Sequence, residues 1–318
     1  MNILITGVAG FIGFNAAKNL IIKNHRVLGL DNLDNYYSLK IKKARLKNLK
    51  KYKNFFFHKI DLSNKKKLIL FFKNKKIDLI IHLAAQAGVR YSFINPNKYV
   101  DNNFFGFLNL ILCARENKVK KIIYASSSSV YGDCKKLPVN ERAILDTKNI
   151  YAVTKKLNED TAELYSKLSN IKFIGLRFFT IFGEWGRPDM LIFKIFKSYF
   201  SKEVLHVNNY GNHYRDFTYI EDVIKILNKL ITKKINKHEI FNVCSNKPVN
   251  ISNLIDNFSQ KYQLKKKFVK LHKADVINTH GNNIKIKKFI KIKKFSDFYQ
   301  SFYKTFKWYK ENKIYKIL

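Results

Sequence analysis

A tyrosine and a lysine four residues apart, Tyr151 and Lys155, could carry out acid–base chemistry in this chain. Positions i and i+4 lie on the same face of a helix, so the two side chains would be neighbours. A lysine ammonium group lowers the pKa of a neighbouring phenol, and a phenolate near neutral pH can take a proton from a hydroxyl group. The same spacing also occurs on helix surfaces, so the interpretation depends on the surrounding motifs.

Four consecutive serines, residues 126–129, end a strand-like apolar run and precede Val130, Tyr131 and Gly132. Serine is common in turns, so one interpretation is a polar turn after a buried strand. The other is that one of the hydroxyl groups works beside Tyr151, which follows the serines by about 24 residues. Both interpretations stay open on this segment alone.

Gly7, Gly10 and Gly13 lie between a first strand-like run and a helix-like segment. Glycines there permit a tight turn and let the backbone approach a pyrophosphate, while the helix amino end offers free N–H groups. The GxxGxxG spacing is one residue wider at the front than the common dinucleotide fingerprint, but the strand–turn–helix context is the expected one. We therefore predict a dinucleotide-binding loop.

Acidic residues follow the second and third predicted strands. Asp31 could accept hydrogen bonds from the adenosine ribose hydroxyls and would repel a 2′-phosphate, which predicts NAD rather than NADP. The alternative is that Asp31 caps the next loop. Asp61 could reach the adenine edge or cap a helix. Small residues in the segment 82–88 would let a cofactor lie against the backbone, and His82 is interpreted as a packed core histidine.

Strand-like runs alternate with helix-like segments over the first 180 residues, which predicts an α/β fold with a Rossmann-type doubly wound parallel sheet. The predicted strands are 2–6, 26–30, 54–59, 78–83, 120–125 and 171–177. The predicted helices are 12–24, 38–50, 97–118 and 149–169. After Arg177 the rhythm is irregular. We therefore expect an NAD-binding domain over about 1–180 and a smaller carboxyl-terminal lobe over 181–318, interleaved with it.

The composition favours an intracellular protein. Cys113, Cys134 and Cys244 are scattered and form no CxxC pair, so we expect neither disulfides nor a metal site and predict a cytoplasmic location. The first residues are interpreted as a strand rather than a signal peptide. No apolar run reaches the roughly 18 residues of a membrane span, so no membrane insertion is expected.

The formal net charge of +38 raises the possibility of a polyanion partner. Only eight of the 61 basic residues are arginines, and the lysines are spread along the chain together with Asn, Ile and Phe. These four residue types share A/T-rich codons, so compositional bias is the favoured explanation. A specific nucleic-acid groove would more typically use clustered arginine and exposed aromatic residues. We expect no specific nucleic-acid partner.

Six motifs together resemble the extended short-chain dehydrogenase/reductase superfamily, and within it the nucleotide-sugar epimerases, in particular UDP-glucuronate 4-epimerases. The resemblance is dense over about residues 1–225 and thin thereafter. The motifs are GVAGFIG, HLAAQAGVRYS, YASSSSVYG, YxxxK at Tyr151, LRFFTIFGEWGRPDM and YRDFTYIEDV.

The resemblance assigns roles to the serines. Ser127 would hydrogen-bond the 4-oxygen of the substrate beside Tyr151, and Ser126 and Ser128 would face the cofactor or the C5 substituent of the sugar. Related dehydratases and decarboxylases carry an acidic residue where Ser129 stands. A serine cannot supply that carboxyl group, so the resemblance implies simple removal and return of a hydride.

The resemblance also assigns three arginines, whose guanidinium groups bind phosphate and carboxylate in a bidentate way. Arg215 would clamp the UDP diphosphate, and Arg90 would lie near the diphosphate or the sugar. Arg187 and Thr180 would surround the carboxylate of a uronic acid. Galactose-type epimerases tend to have asparagine in place of Thr180, which favours a uronate. The alternative for each arginine is a surface position.

The remaining candidate contacts complete two sets. For the cofactor they are Phe11, Ile12, Asn32, Leu62, Leu83, Ala84, Ala85, Gln86, Asn102 and Phe178, together with Ser126, Tyr151 and Lys155. For the substrate they are Met190 and Asp275, the latter as a uridine ribose contact. The sequence departs from the family pattern at two places near the proposed substrate contacts. Glu184 stands where relatives often have proline, and HKADV around Asp275 replaces QPGDV.

The implied function is an NAD-dependent 4-epimerase that interconverts UDP-glucuronate and UDP-galacturonate through a 4-keto intermediate, in polysaccharide biosynthesis. The alternative substrates are UDP-N-acetylhexosamines or neutral UDP-hexoses. A non-enzymatic NAD-binding or polyanion-binding protein is a further alternative, against which Tyr151, Lys155 and Ser127 argue. The predicted helices 97–118 and 149–169 would pair across a two-fold axis in a homodimer, as the resemblance implies.

Overall fold

The structure is a computed structural model that describes residues 1–270 and 276–318. The strands are β1 (Asn2–Thr6), β2 (Arg26–Asp31), β3 (Phe55–Lys59), β4 (Leu79–His82), β5 (Lys121–Ser127), β6 (Lys172–Phe178), β7 (Thr180–Phe182), β8 (Leu205–Asn208), β9 (Tyr214–Tyr219), β10 (His238–Val243), β11 (Pro248–Asn250) and β12 (Lys266–Val269). The helices are α1 (Phe11–Ile22), α2 (Leu39–Leu49), α3 (Lys65–Phe72), α4 (Pro96–Tyr99), α5 (Gly106–Glu116), α6 (Ile150–Leu168), α7 (Leu191–Ser201), α8 (Ile220–Thr232), α9 (Ile251–Lys261), α10 (Ile284–Ile290) and α11 (Phe298–Glu311).

Seven parallel strands form the main sheet in the order β10-β6-β5-β4-β1-β2-β3. The central strands are continuous apolar runs, as in Ile3–Leu4–Ile5 and Ile80–Ile81, because helices cover both faces of the sheet. The strand order reverses between β1 and β4, and ligands of such sheets bind at the carboxyl ends of the strands beside this point. The predicted Rossmann-type fold is confirmed, and the six predicted strands are present with ends shifted by at most two residues.

Residues beyond 181 contribute both to the main sheet and to a smaller lobe. β10 pairs with β6 in the main sheet. Two small sheets, β11-β9-β7 and β12-β8, lie outside it. Aromatic side chains of α7, α9 and α11 pack around Phe196, whose ring centroid lies 5.1 Å from those of Phe302 and Phe306. This aromatic core supports the side of the cleft that faces the main sheet's carboxyl ends.

The predicted helix over 97–118 is present as one helical run over residues 96–116, which is not α-helical throughout. The segment consists of α4, a π-helical stretch at Val100–Phe105 and α5. The wider turn contains Asn103, a fully buried residue, whose side chain accepts a hydrogen bond from the Gln86 amide N–H (2.7 Å) and donates to Thr154 Oγ1 (3.1 Å). A π-helical turn changes which side chains face inward, and here it ties the loop after β4 to α6.

No helix within the described part of the chain is long and apolar enough to cross a lipid bilayer.

Candidate active site

A cleft of about 630 Å³ opens at the carboxyl ends of the main strands, between them and the smaller lobe. Every predicted site residue that the structure describes lines this cleft. They are Gly7, Gly10, Phe11, Ile12, Gly13, Asp31, Asn32, Asp61, Leu62, Leu83, Ala84, Ala85, Gln86, Arg90, Asn102, Ser126, Ser127, Ser128, Tyr151, Lys155, Phe178, Thr180, Arg187, Met190 and Arg215. Asp275 lies outside the described residues.

The glycine loop packs too closely for side chains. Gly7 has φ +71°, and a Cβ there would lie 2.7 Å from the backbone nitrogen of Ala84. A Cβ on Gly13 would lie 2.1 Å from the carbonyl oxygen of Gly7. No side chain caps the amino end of α1, which begins at Phe11. The loop therefore offers backbone N–H groups and a positive helix end to an anionic ligand.

Asp31 ends β2 beneath this loop. Its carboxylate accepts hydrogen bonds from the backbone N–H groups of Ala9 (3.0 Å) and Leu33 (2.8 Å). Burial raises the pKa of Asp31, while Lys42 and the backbone donors oppose that shift. Each carboxylate oxygen can accept a further hydrogen bond, so Asp31 can both shape the loop and meet a ligand hydroxyl.

Asp61 holds the turn after β3. Its Oδ1 accepts hydrogen bonds from the Ser63 backbone N–H (2.9 Å) and hydroxyl (2.7 Å). Its Oδ2 accepts one from the Asn32 side chain (2.8 Å). Two of the predicted cofactor residues, Asn32 and Asp61, are thus joined directly at the edge of the cleft.

Tyr151 and Lys155 lie on the first two turns of α6. Asn149 caps this helix, because its side chain accepts a hydrogen bond from the Ala152 N–H (2.9 Å). Lys155 Nζ donates to the Ala125 carbonyl (2.9 Å) and lies 5.9 Å from the centroid of the Tyr151 ring. Burial lowers the pKa of Lys155 to about 8, against the influence of Glu159.

The expected lowering of the Tyr151 pKa is wrong for these side chains. Burial raises the pKa of Tyr151, and the groups that oppose this shift are Ser127, by a hydrogen bond, and Arg187, by its charge. The ammonium group of Lys155 is engaged by the Ala125 carbonyl. The sequence spacing identified Lys155 as a neighbour of Tyr151. It did not show that burial outweighs nearby positive charge in setting the Tyr151 pKa.

The serine run is both a turn and part of the cleft. Ser127 Oγ accepts a hydrogen bond from the Ser129 N–H (3.1 Å), which starts the short 3₁₀ turn Ser128–Tyr131. Ser127 also hydrogen-bonds Tyr151. Ser126 donates to Glu159 Oε1 (2.5 Å) and is buried, so its hydroxyl is committed to the protein interior.

Arg187 is held by an aspartate that the sequence reasoning missed. Arg187 Nε donates to Asp189 Oδ1 (3.0 Å), and Nη2 pairs with Oδ2 of the same carboxylate. Tyr36 donates to Asp189 Oδ2 (3.4 Å) from across the cleft. Burial favours a raised pKa for Asp189, but the guanidinium group holds that pKa below its ordinary value. The GRPD segment contained the signal, an acidic residue two positions after the arginine.

Arg45 on α2 joins the glycine loop to the turn that precedes Arg187. The sequence reasoning did not identify this residue. It is fully buried, and its Nη1 donates to the carbonyl of Ala9 (2.9 Å) in the glycine loop. Its Nη2 donates to the carbonyls of Trp185 (2.6 Å) and Gly186 (3.0 Å). Trp185 has φ 61°, so the turn before Arg187 is a strained one that this guanidinium group braces.

Arg215 and Arg90 lie at other positions along the cleft. Arg215 Nη1 donates to the Ile277 carbonyl (2.6 Å), and Nη2 donates to the Val276 carbonyl (2.7 Å), which ties β9 to the segment after the undescribed residues. Arg90 begins the 3₁₀ turn Arg90–Phe93 and is exposed. Both arginines line the cleft.

Comparison with known proteins finds relatives along nearly the whole chain. Residues 3–244 match the NAD dependent epimerase/dehydratase family. A UDP-glucuronate 4-epimerase of Thermodesulfobacterium geofontis is 37% identical, over 97% of this chain and 96% of that protein. The crystal structure of a UDP-glucuronic acid 4-epimerase from Bacillus cereus with UDP-glucuronic acid and NAD has a TM-score of 0.91 and 28% identity, over 98% of this chain and 100% of that one. A UDP-N-acetylglucosamine 4-epimerase of Methanobrevibacter ruminantium with UDP-N-acetylmuramic acid has a TM-score of 0.88 and 25% identity, over 98% of each chain.

Proposed function

Because the chain belongs to the NAD-dependent epimerase/dehydratase family, we propose that it interconverts UDP-glucuronate and UDP-galacturonate through a 4-keto intermediate. The family expected from the motifs is confirmed. The observation that supports this reaction is that Tyr151, Ser127 and Arg187 meet in one cleft with the glycine loop. A proton acceptor, a second hydroxyl and a carboxylate-binding cation are the groups that such a substrate requires.

The residues of the cleft fit NAD, the cofactor of this family. The glycine loop leaves room for a pyrophosphate beside the free N–H groups of α1, since a Cβ on Gly7 or Gly13 would fill that space. Asp31 would meet the ribose hydroxyls and repel a 2′-phosphate. Bound NAD supplies a reversible hydride acceptor, and the protein supplies position and electrostatics.

Tyr151 is the proposed proton acceptor for the 4-hydroxyl group, and Ser127 would share the same oxygen. Because burial raises the pKa of Tyr151, proton transfer depends on positive charge near the phenol. Arg187 lowers this pKa by its charge. Lys155 is proposed to orient the site from the second turn of α6, where its ammonium group is fixed on the Ala125 carbonyl.

The serines support epimerisation rather than loss of water. Ser127 Oγ donates to Ser129 Oγ (3.1 Å), and Ser128 lines the cleft beside them. Hydroxyl groups at these positions can hold a substrate, but they are poor general acids and bases near neutral pH compared with a carboxyl group. Removal of a hydride from C4 and its return to the opposite face needs only that Tyr151 take the proton of the 4-hydroxyl group and then give it back to the same oxygen.

Arg187 and Thr180 support a uronate as the substrate. Both line the cleft, and a guanidinium fork matches a carboxylate. An opposing observation favours a second candidate, a UDP-N-acetylhexosamine 4-epimerase. Asp189 already engages two of the Arg187 nitrogens, which reduces the positive charge offered to a ligand carboxylate. A structural relative at 25% identity acts on UDP-N-acetylglucosamine.

The test is product identification after incubation of the purified protein, without added cofactor, with UDP-glucuronate, UDP-glucose or UDP-N-acetylglucosamine. We expect UDP-galacturonate from the first at a kcat/KM well above those for the two neutral substrates. Efficient turnover of UDP-N-acetylglucosamine with none of UDP-glucuronate would establish the second candidate instead. A lack of product from all three would remove the proposal.

We also propose that the chain forms a homodimer through α5 and α6. Three leucines on one face of α6 are exposed, with exposed fractions of 38% at Leu157, 52% at Leu164 and 64% at Leu168. Phe105, the last residue of the π-helical stretch before α5, is 48% exposed. Aligned apolar residues on adjacent helices fit a self-complementary interface between two copies.

Leu164→Lys is expected to convert the dimer to a monomer, because it places a charge in the centre of this apolar stripe. Light scattering coupled to size-exclusion chromatography measures the mass. Ile22→Lys is the matched control, since Ile22 is 57% exposed on α1, whose buried side chains belong to a different core cluster from those of α5 and α6. A wild-type monomer, or a dimer that survives Leu164→Lys, would contradict this interface.

A cytoplasmic location remains our proposal. Cys113, Cys134 and Cys244 are all free thiols in the structure. Nucleotide sugars for polysaccharide assembly are the expected product class.

A further inference from the structure

Glu159, one helical turn after Lys155 on α6, is a buried carboxylate that the proposed reaction does not use directly. Its side chain is 4% exposed, and so is that of its partner Arg177. Arg177 donates from Nε to Oε1 (2.9 Å) and from Nη2 to Oε2 (2.7 Å). A bidentate, desolvated pair of this kind is costly to form, so a role beyond stability is worth seeking.

Glu159 completes a ring of contacts between α6 and β5, formed by Lys155, Glu159, Ala125 and Ser126. Lys155 Nζ donates to the carbonyl of Ala125 (2.9 Å), and the next residue, Ser126, donates to Glu159 Oε1 (2.5 Å). Lys155 and Glu159 lie one helical turn apart on α6, whereas Ala125 and Ser126 are adjacent residues on β5. Two hydrogen bonds therefore join α6 to β5. One connects Lys155 to Ala125, and the other connects Glu159 to Ser126.

This ring sets the position of the two groups proposed to touch the substrate. Ser127 follows Ser126 on β5, and Tyr151 precedes Lys155 by one turn on α6. Ser126 on β5 and Arg177 on β6 are paired residues of adjacent strands. Their side chains therefore donate to Glu159 from the same level of the sheet. A shift of α6 along β5 would separate Ser127 from Tyr151.

We propose that Glu159 is a positioning residue that fixes α6 against β5 and places a buried carboxylate one helical turn from Lys155. This inference rests on the proposed function of Tyr151 and Lys155. It goes beyond that function by assigning the charge state of Lys155 to a side chain outside the cleft. Arg177 and Ser126 hold the Glu159 carboxylate in place by donating to both of its oxygens.

Among the ionisable groups around this ring of contacts, Lys155 is the one whose pKa lies in the weakly alkaline range. Burial lowers the pKa of Lys155 to about 8, and Glu159 raises it. Burial lowers the pKa of His82 to about 3 and also lowers that of His238, while it raises the pKa of Tyr124 and that of Tyr131. The ionisable groups that face the ring from packed elements are His82 on β4, Tyr124 on β5, Tyr131 in the 3₁₀ turn, Arg177 on β6 and His238 on β10.

The charge state of Lys155 determines how activity depends on pH. If the ammonium form of Lys155 is the active one, activity falls as pH rises through the pKa of Lys155. Loss of the Glu159 charge lowers that pKa further. The alkaline limb of the pH profile would then move to lower pH.

The test compares the pH dependence of kcat/KM for wild type, Glu159→Gln and Ser126→Ala, with the best UDP-sugar substrate. In Glu159→Gln we expect the alkaline limb to move down by about one pH unit, the size of a nearby charge's effect. Ser126→Ala leaves the carboxylate in place, so we expect a lower kcat with an unmoved alkaline limb. A merely structural role for Glu159 would lower kcat at all pH values alike.

An unmoved limb in a folded Glu159→Gln protein would overturn the proposal. If that variant does not fold because Arg177 is left unpaired, Glu159→Asp keeps the charge but shortens the side chain. We then expect a lower kcat with an unmoved alkaline limb, and a wild-type kcat in Glu159→Asp would overturn the positioning role. Wild-type inactivity on every UDP-sugar would refute the proposed function itself. An active wild type with an unmoved alkaline limb in Glu159→Gln would refute only the role of Glu159.

Discussion

Tyr151→Phe is expected to lower kcat for UDP-glucuronate by about 10²- to 10⁴-fold, the usual contribution of a positioned acid–base group. The variant lacks only the phenol oxygen, so the ring keeps its packing against Tyr99, whose centroid lies 6.2 Å away. Ser127 would lose its hydrogen-bond partner but remain in place through its contacts with Ser129. UDP affinity, measured by calorimetry, should change little because Tyr151 is proposed to act on the sugar.

Tyr165→Phe is the matched control for this substitution. Tyr165 lies on the same helix, is partly buried in the core and does not line the cleft. We expect its kcat to match that of wild type. Near-normal turnover by Tyr151→Phe would remove Tyr151 as the proton acceptor, whatever the identity of the substrate.

Arg187→Ala is expected to lower kcat/KM for UDP-glucuronate by about 10- to 100-fold, the cost of losing hydrogen bonds to a charged group. The reason is the guanidinium fork, which we assign to the C5 carboxylate. UDP-glucose carries a neutral hydroxymethyl group there, so any turnover of UDP-glucose should fall much less. Steady-state kinetics on both substrates give the ratio that decides the assignment.

Arg187→Lys separates charge from geometry. Lysine keeps a positive charge but cannot form the two parallel hydrogen bonds that Arg187 makes with Asp189. We expect this variant to fall between wild type and Arg187→Ala on the uronate. Equal losses on uronate and hexose in Arg187→Ala would show that Arg187 shapes the loop rather than recognising the carboxylate.

The parts of the site that the sequence predicted well are those whose chemistry depends on local spacing. The glycine loop needs Gly7, Gly10 and Gly13 between a strand and a helix, and the strand ends could be read from apolar runs. Parallel strands bring their carboxyl ends to one edge of a sheet. Strand prediction therefore placed residues as distant as Asp31 and Ser127 on the same cleft.

The groups that escaped prediction act through tertiary contacts. Arg45 bonds to carbonyls of Ala9 and Trp185, which are far apart in sequence and carry no side-chain signal for this contact. Glu159 reads as one more polar residue on an amphipathic helix until the sheet brings Arg177 to it. The direction of the Tyr151 pKa depends on burial, which residue spacing does not report.

The central claim is that a hydride leaves C4 of a UDP-uronate and returns to the same carbon within one cleft. The direct measurement is incubation of the purified protein, without added cofactor, with UDP-glucuronate deuterated at C4, followed by NMR and mass analysis of the product. We predict UDP-galacturonate that retains deuterium at C4. Product with solvent hydrogen at C4, or no epimer at all, would contradict the account.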